Sequence, residues 1–276
     1  MTITTTNVTY INSQRFEAKA FMKIETLYTV SESTEHAAIR HDKFSVFEVY
    51  NGNANNNGTA ATTNNISYTM GALVLTGATN VHIVYYGNWT TNQQNIVNTF
   101  ISTIGSTSWF NIEKTYYFQS SNTSSKVYTT GPLTLGNTTT NNYTNGTQLT
   151  GTSIKDIIYN HITKGQLPND QRAIYLLLSS SDVKENSTTT SSFCNSYCGY
   201  HSTFSRGTSK YIYGFIGNPQ KCINSCSVYN KLVSPNGDVG VDAMLTPVAH
   251  EIVEAMSDPW LNAWRDINKN ENADKW

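Results

Sequence analysis

From residue 81 onward, short apolar segments alternate with amphipathic ones, and this alternation restricts the fold more than any other feature of the sequence. The apolar segments are rich in β-branched and aromatic residues, which predicts strands at residues 81–86, 126–135, 173–178 and 211–216. Two intervening segments, beginning at Ile96 and Ile154, place isoleucines at helical spacing. Alternating strands and helices predict an α+β fold in which a mixed β-sheet is flanked by helices.

The first 65 residues differ from the remainder and are predicted to form a β-rich N-terminal segment beside a second unit at residues 66–276. Residues 1–10 are rich in threonine and have high β propensity, but no hairpin partner follows them. We therefore expect residues 1–10 to pair with the protein's own sheet or with the open sheet edge of another molecule, which would be self-association.

A third helix is predicted at residues 246–258. Thr246 is a good N-cap, and Pro247 suits the first turn of a helix. Pro259 disfavours a helical conformation in the residue before it, so the helix is expected to end there.

One side of this third helix carries an imidazole and three carboxylates, on His250, Glu251, Glu254 and Asp258. His250 and Glu254 are four residues apart, the spacing at which H-E-x-x-H helices present two zinc ligands and leave the intervening Glu as a base. Glu254 replaces the second histidine, and a carboxylate also binds zinc. The same pattern is typical of an ordinary amphipathic helix whose acidic side faces solvent.

A catalytic zinc ion usually has three protein ligands and one water molecule, so a third ligand is needed. We expect it to be Glu271, with Asp258 as the next candidate. Glu251 would then be the general base, and Asp274 or Asp258 would orient the His250 imidazole. The alternative for Glu271 and Asp274 is a frayed, solvated C-terminus.

Calcium is a second metal to consider. Residues 266–270, followed by Asn272 and Asp274, resemble the opening of an EF-hand loop, but Glu271 stands where that loop needs Gly. Asp238 and Asp242 are further candidates for calcium, although a turn capped by Asp238 explains them more simply.

The remaining histidines lack a partner at ligand spacing, and we assign them no role in a metal site. They are His36, His41, His82, His161 and His201. His82 lies within an apolar strand and is expected to be a hydrogen-bonded structural residue.

The composition favours an extracellular glycoprotein. Only 13% of the residues are charged, and the net charge of −1 gives no field that would attract nucleic acid. No apolar run is long enough for a transmembrane segment. Sequons for N-linked glycans occur at Asn7, Asn57, Asn65, Asn88, Asn122, Asn137, Asn142, Asn145 and Asn186. The cluster from Asn137 to Asn145 is predicted to be a surface loop.

Four cysteines occur as two C-x-x-x-C motifs, at Cys194, Cys198, Cys222 and Cys226. An even number in a secreted chain predicts two disulfides, with three connectivities open. A four-cysteine zinc site is the alternative, although its usual spacing has two intervening residues. No signal peptide is visible after Met1, so a secreted protein would require this numbering to begin inside a longer precursor.

Several segments together resemble the phosphate-induced protein 1, or EXORDIUM-like, family of extracellular proteins. They are residues 81–90, 174–183, 193–201 and 235–244, of which the last, Pro-Asn-Gly-Asp-Val-Gly-Val-Asp-Ala-Met, is the sharpest match. The resemblance implies secretion and a cell-wall or cell-surface setting, but no defined reaction. Plant members carry an apolar helix in place of His250, Glu251 and Glu254. This chain is more similar to relatives that keep an H-E-x-x-E helix, which implies a zincin-like core.

Two functions follow from these observations. The first is a secreted zinc-dependent hydrolase of the zincin type, acting on peptides. The second is a non-enzymatic cell-surface glycoprotein that assembles into a filament or matrix through residues 1–10. The side chains around His250 favour the first, and the sequons and the N-terminal strand favour the second.

Overall fold

The computed structural model describes residues 65–186, 191–227 and 234–275. The predicted β-rich segment at residues 1–65, including the assembly strand at residues 1–10, lies outside these residues apart from residue 65. The strands in chain order are β1 (Ser67–Tyr68), β2 (Thr79–Tyr86), β3 (Tyr117–Phe118), β4 (Val127–Tyr128), β5 (Leu133–Asn141), β6 (Gln148–Thr150), β7 (Ile174–Ser179), β8 (Lys184–Asn186), β9 (Gly199–Arg206), β10 (Ser209–Gly217) and β11 (Trp264–Arg265).

The helices are α1 (Thr91–Ile104), α2 (Gly151–Thr163), α3 (Ile223–Cys226) and α4 (Val239–Ser257), with short 3-10 helices at Trp109–Thr115 and Pro219–Lys221. Threonine side chains cap α1 and α2, since Thr90 and Thr150 each accept a hydrogen bond from the backbone of the first turn. Within the described ranges, no helix is both long enough and apolar enough to cross a bilayer.

Five strands form the central sheet in the order β5-β2-β7-β10-β9. The first four strands run parallel, and the edge strand β9 is antiparallel to β10. The sheet is therefore mixed, and helices cover both of its faces, as the sequence predicts. The other strands form three two-stranded pairs, β1 with β11, β3 with β4, and β6 with β8.

Alternate residues of the central strand β7 enter two different cores. Ile174, Leu176 and Leu178 pack with the apolar residues of α1 and α4 on one face of the sheet. Tyr175 and Leu177 pack with α2 and the cysteine-containing loop on the other face. Because both faces are covered, β7 is buried along its whole length, which explains its uninterrupted apolar sequence.

Three sequence predictions require correction on the strands. The strand predicted at residues 126–135 is divided, because residues 127–128 form β4 and pair with β3, whereas β5 of the central sheet begins at residue 133. No strand was expected between residues 178 and 211, yet β9 occupies Gly199–Arg206; its mixed polar sequence suits an edge strand, which carries little of the apolar signal of a central strand. The predicted surface loop at residues 137–145 begins as strand, because the threonines up to Asn141 extend β5 along the opposite edge of the sheet. Only Asn142 and Asn145 lie in the loop that follows.

Helix α4 begins seven residues before the predicted start, so the assignment of Thr246 as N-cap is wrong. Asp238 is the N-cap, and its carboxylate accepts a hydrogen bond of 3.0 Å from the backbone nitrogen of Val241. Pro247 lies inside the helix and removes one backbone hydrogen bond. Burial of the preceding turns, including Val241 and Met244, against the sheet outweighs that loss.

Two disulfides join the predicted cysteines in one of the three connectivities left open by the sequence. Cys194 bonds to Cys222, and Cys198 bonds to Cys226. Cys198 immediately precedes β9, so its bond fixes the start of that edge strand to the segment that leaves β10. In the same loop, the Phe193 ring packs against Gly217, which is the last residue of β10.

We predict that Gly217→Ala destabilises the fold, because an added Cβ would lie 2.3 Å from the Phe193 ring. Overpacking of this kind costs about 1–3 kcal/mol of the free energy of unfolding, measured by urea denaturation. Gly77→Ala is the matched control, since no heavy atom beyond its chain neighbours lies within 4 Å of the added Cβ. Equal stability of the two variants would contradict the proposed packing.

Candidate functional site

The acidic side of α4 faces the edge strand β9 and is buried. Glu251 and Glu254 are 5% and 4% exposed, and Asp258 is fully buried. The alternative of an ordinary helix with a solvated acidic side is therefore wrong. Only His250, with 33% of its side chain exposed, lies partly at the surface. Carboxylates are rarely buried unless a cation or several hydrogen-bond donors compensate for the lost water.

His250 belongs to a first cluster with Glu254 and Asp274. Its Nε2 atom lies 3.0 Å from Glu254 Oε1 and 3.6 Å from Asp274 Oδ1. The three ligand atoms lie within 4.8 Å of one another. The i, i+4 spacing on α4 brings the first two together, and the C-terminal segment brings the third.

His201 of β9 forms a second cluster, although the sequence had suggested no partner for this histidine. Its Nδ1 atom lies 3.4 Å from Glu251 Oε2 and 3.6 Å from Glu254 Oε2. Its Nε2 atom lies 3.5 Å from Glu271 Oε1 and 3.4 Å from the backbone oxygen of Asp258. His201 is about fifty positions from these helix residues, so no spacing rule could have found it.

Glu254 joins the two clusters. One of its carboxylate oxygens faces His250, and the other faces His201. The Glu254 Oε1 atom is buried and has no aligned hydrogen-bond donor among the described residues, although His250 Nε2 is near. Glu254 is therefore the residue that couples the exposed part of the site to its buried part.

The structure separates the other predicted residues into different places. Glu271 contacts His201, whereas Asp274 contacts His250. Asp258 accepts hydrogen bonds of 2.5 and 2.6 Å from the backbone nitrogens of Asn262 and Ala263, and its second oxygen lies 3.5 Å from Arg265 Nε. The Asp258 carboxylate thus stabilises the turn after α4 and takes part in neither cluster, whereas its backbone oxygen contacts His201.

The C-terminal segment is packed against α4, so the alternative of a frayed end is wrong for residues 271–274. Asn272 is buried and donates a hydrogen bond of 3.0 Å to the carboxyl of Glu113. Burial raises the pKa of Glu113 well above its usual value, although the hydrogen bond from Asn272 acts in the opposite direction. Asp274 in turn accepts a hydrogen bond from the Glu271 backbone nitrogen. These contacts fix Glu271 and Asp274, which lie before and after the anchored residue Asn272 in the chain.

The electrostatics of the two clusters are governed by burial and by the facing charges. Burial alone would lower the pKa of both imidazoles, but the carboxylates raise the pKa of His201 well above its usual value and that of His250 to about 9. Burial raises the pKa of Glu251, and it raises the pKa of Glu271 to about 9. Burial also acts to raise the pKa of Glu254, but the two imidazoles lower it. The buried carboxylates therefore favour the protonated form of both imidazoles.

Gly199 allows β9 to approach α4 closely. It lies two residues before His201, on the same face of the strand. A Cβ at Gly199 would lie 3.4 Å from Cγ of Glu251, 2.9 Å from Cγ1 of Ile216 and 3.1 Å from the oxygen of Phe215. Glycine at this position leaves the space that the Glu251 side chain occupies beneath the strand.

The carboxylates considered for calcium are occupied by donors from the protein. Asp266 accepts hydrogen bonds from the backbone nitrogens of Asn268 and Asn270, and Lys275 Nζ lies 2.6 Å from its second oxygen. Asp242 accepts hydrogen bonds from Ser234 and Asn236, which ties the preceding turn to α4. Calcium at either place would have to displace these donors.

Two histidines outside the site have structural partners. His82 is buried in β2, and its Nδ1 accepts a hydrogen bond of 2.8 Å from the backbone nitrogen of Asn137, consistent with the prediction for this residue. His161 Nε2 lies 3.1 Å from Asn141 Nδ2, and its Nδ1 lies 2.6 Å from Gln166 Oε1.

All the sequon asparagines within the described residues are exposed, so their side chains can accept a glycan without unfolding. They are Asn65, Asn88, Asn122, Asn137, Asn142, Asn145 and Asn186. Asn7 and Asn57 lie outside the described residues.

Comparison with known proteins supports the resemblance found in the sequence. The phosphate-induced protein 1 conserved region matches residues 66–275. Protein EXORDIUM-like 3 of Arabidopsis thaliana is 33% identical over 224 residues, covering 72% of this chain and 63% of the relative. Protein EXORDIUM-like 5 of Arabidopsis thaliana is 27% identical, covering 72% and 59%. Protein PHOSPHATE-INDUCED 1 of Nicotiana tabacum is 29% identical, covering 72% and 66%.

The chain thus spans about three-fifths of the length of the first two of these relatives. No solved structure matches it significantly. The family region includes the whole central sheet, α4 and both histidine clusters. The chain therefore belongs to the phosphate-induced protein 1, or EXORDIUM-like, family.

Proposed function

We propose that this protein is a zinc-dependent hydrolase of the zincin type that acts on peptides outside the cell. The observation that carries this proposal is the convergence of His250, Glu254 and Asp274, whose ligand atoms lie within 4.8 Å of one another. Asp274 takes the place of the third ligand for which the sequence suggested Glu271 or Asp258. One imidazole and two carboxylates are a donor set that zinc accepts.

The distances between these ligand atoms support a cation of this size. Zinc bonds to nitrogen and oxygen are about 2.0–2.2 Å long, so two ligands of a tetrahedral zinc ion are about 3.3–3.6 Å apart. His250 Nε2 lies 3.0 Å from Glu254 Oε1 and 3.6 Å from Asp274 Oδ1. Small side-chain adjustments would therefore suffice for coordination.

Accessibility supports a catalytic role over a purely structural one. A catalytic zinc ion keeps one coordination position open, whereas a structural ion is enclosed by protein ligands. The His250 and Asp274 side chains are 33% and 40% exposed, while Glu254 lies beneath them. Water and substrate can therefore reach the cluster from one side.

Glu251 is the general base in this proposal. Bound zinc would polarise a peptide carbonyl and lower the pKa of a water molecule. Glu251 would accept a proton from that water and transfer it to the leaving amine. Its position in the H-E-x-x-E motif, one residue after His250 on α4, supports this role.

The extracellular setting rests on separate observations. Two disulfides are typical of proteins from oxidising compartments. The exposed sequons support N-linked glycosylation. The family relatives are proteins named EXORDIUM-like and PHOSPHATE-INDUCED 1, names that specify no reaction.

The alternative function is a self-assembling cell-surface glycoprotein without catalysis. It depends on residues 1–10, which lie outside the described residues. Absence of bound zinc, together with assemblies that disappear when residues 1–10 are deleted, would favour this alternative over the hydrolase.

We predict that the purified protein binds one zinc ion per chain and that His250→Ala abolishes this binding, because it removes the only imidazole of the first cluster. Metal analysis after dialysis against zinc measures the stoichiometry. His161→Gln is the control, since His161 lies elsewhere and contacts Asn141 and Gln166. Zinc binding that survives in His250→Ala would rule out this ligand set.

Glu251→Gln is predicted to retain zinc and to lose hydrolysis. Removing a general base typically lowers kcat by about 10²–10⁴-fold, while the ligands His250, Glu254 and Asp274 are unchanged. A library of quenched fluorescent peptides measures the activity, and metal analysis of the same samples reports the zinc content. Equal activity of the variant and the wild type would show that Glu251 is not the base.

Secretion from a eukaryotic host is predicted to give a protein whose mass falls on treatment with an N-glycosidase. The exposed positions Asn142 and Asn145 are suitable for Asn→Gln variants. Each substitution at an occupied site should lower the measured mass of the protein by that of one glycan. A secreted protein with the unmodified peptide mass would contradict the glycoprotein assignment.

A further inference from the structure

We infer that His201 is a positioning residue of the proposed hydrolase, which holds the base Glu251 and the ligand Glu254 in place from the edge strand β9. This inference rests on the proposed function and adds a residue on a different element of the fold. No sequence motif indicates His201, and the geometry alone points to it.

The contacts of His201 are directed at both residues. Its Nδ1 atom faces the Oε2 atoms of Glu251 and Glu254, at 3.4 and 3.6 Å. The Glu254 oxygen that faces His250 is the other one, Oε1. The Nδ1 edge of the His201 ring therefore lies between Glu251 and the Oε2 atom of Glu254, which is the oxygen that points away from His250.

The opposite edge of the ring is also held. His201 Nε2 lies 3.4 Å from the backbone oxygen of Asp258 and 3.5 Å from Glu271 Oε1. The His201 side chain is 2% exposed, so water does not compete for these contacts. The ring is thus located by α4 on one side and by the C-terminal segment on the other.

A group of this kind is needed because the neighbouring carboxylates carry like charges. The Glu251 and Glu254 oxygens that face His201 lie within 4.8 Å of each other in a buried environment. Without an intervening donor, repulsion between the two carboxylates would favour rotation of Glu251 away from Glu254. Residues that hold metal ligands and bases in this way typically contribute about 10–100-fold to activity or metal affinity.

The backbone around His201 is suited to precise placement. His201 pairs with Gly214 of β10, and the preceding Cys198 is fixed by its disulfide to Cys226. Gly199, on the same face, leaves room for Glu251 beneath the strand. A site held by strands and a helix is more rigid than one held by loops.

Substitutions that differ in hydrogen bonding test this role. His201→Leu removes both ring nitrogens, whereas the amide nitrogen of His201→Asn can occupy the place of Nδ1 and still donate to Glu251. With zinc in saturating excess, we expect His201→Leu to lower kcat about 10–100-fold with KM and the zinc content unchanged, and we expect a clearly smaller loss of kcat for His201→Asn. The activity is measured with the peptide library, the zinc content by metal analysis and folding by thermal denaturation.

A double-mutant cycle separates positioning from a general structural effect. If His201 acts through Glu251, then adding His201→Leu to Glu251→Gln causes no further loss of kcat. The matched control is His161→Gln, which removes another buried imidazole and is expected to leave kcat unchanged.

Each other outcome identifies which claim fails. A wild-type protein that neither binds zinc nor cleaves peptides overturns the proposed function and this inference together. Active wild type with kcat unaffected by His201→Leu overturns the inference alone. Loss of the zinc ion in both His201 variants would make His201 a metal ligand, which also overturns the positioning role. If His201→Leu does not fold, the effect of His201→Asn on kcat replaces it in the test. An equal loss of kcat from His201→Asn in the wild type and in the Glu251→Gln variant would contradict the inference.

Discussion

The burial of the acidic side of α4 beneath β9 is the interaction on which the rest of the structure depends. An uncompensated buried carboxylate costs several kcal/mol, so Glu251 and Glu254 require positive partners. His201 provides one from the strand, and His250 provides another from the helix itself. The same contact therefore joins α4 to the edge of the sheet and assembles the candidate site.

A disulfide and a glycine at the start of β9 help to place this strand against α4. The disulfide at Cys198 fixes the first residue before the strand, and Gly199 permits the close approach to α4. From the other direction, the Glu113–Asn272 hydrogen bond anchors the segment that carries Glu271 and Asp274. Three parts of the chain that are distant in sequence thus meet at Glu254.

Family membership establishes the scaffold, whereas the reaction must be argued from the site. The conserved region of the family covers residues 66–275 and includes every residue of both clusters. The metal site is therefore our proposal from the side chains that α4 and the C-terminal segment bring together in this chain.

The sequence by itself determined the alternation of strands and helices, the two C-x-x-x-C motifs whose cysteines form the disulfides, and the i, i+4 pairing of His250 with Glu254. Each of these depends on residues that are close in the chain or on local periodicity. It failed for β9 and for the start of α4, where burial against the sheet outweighed local signals such as Pro247. The tertiary structure alone decided that Asp274 accompanies His250, that Glu271 accompanies His201, and that Asp258 stabilises a turn. The physical reason is that these contacts join a strand, a helix and a terminal segment, and only the packing of the three elements brings their side chains within reach of one another.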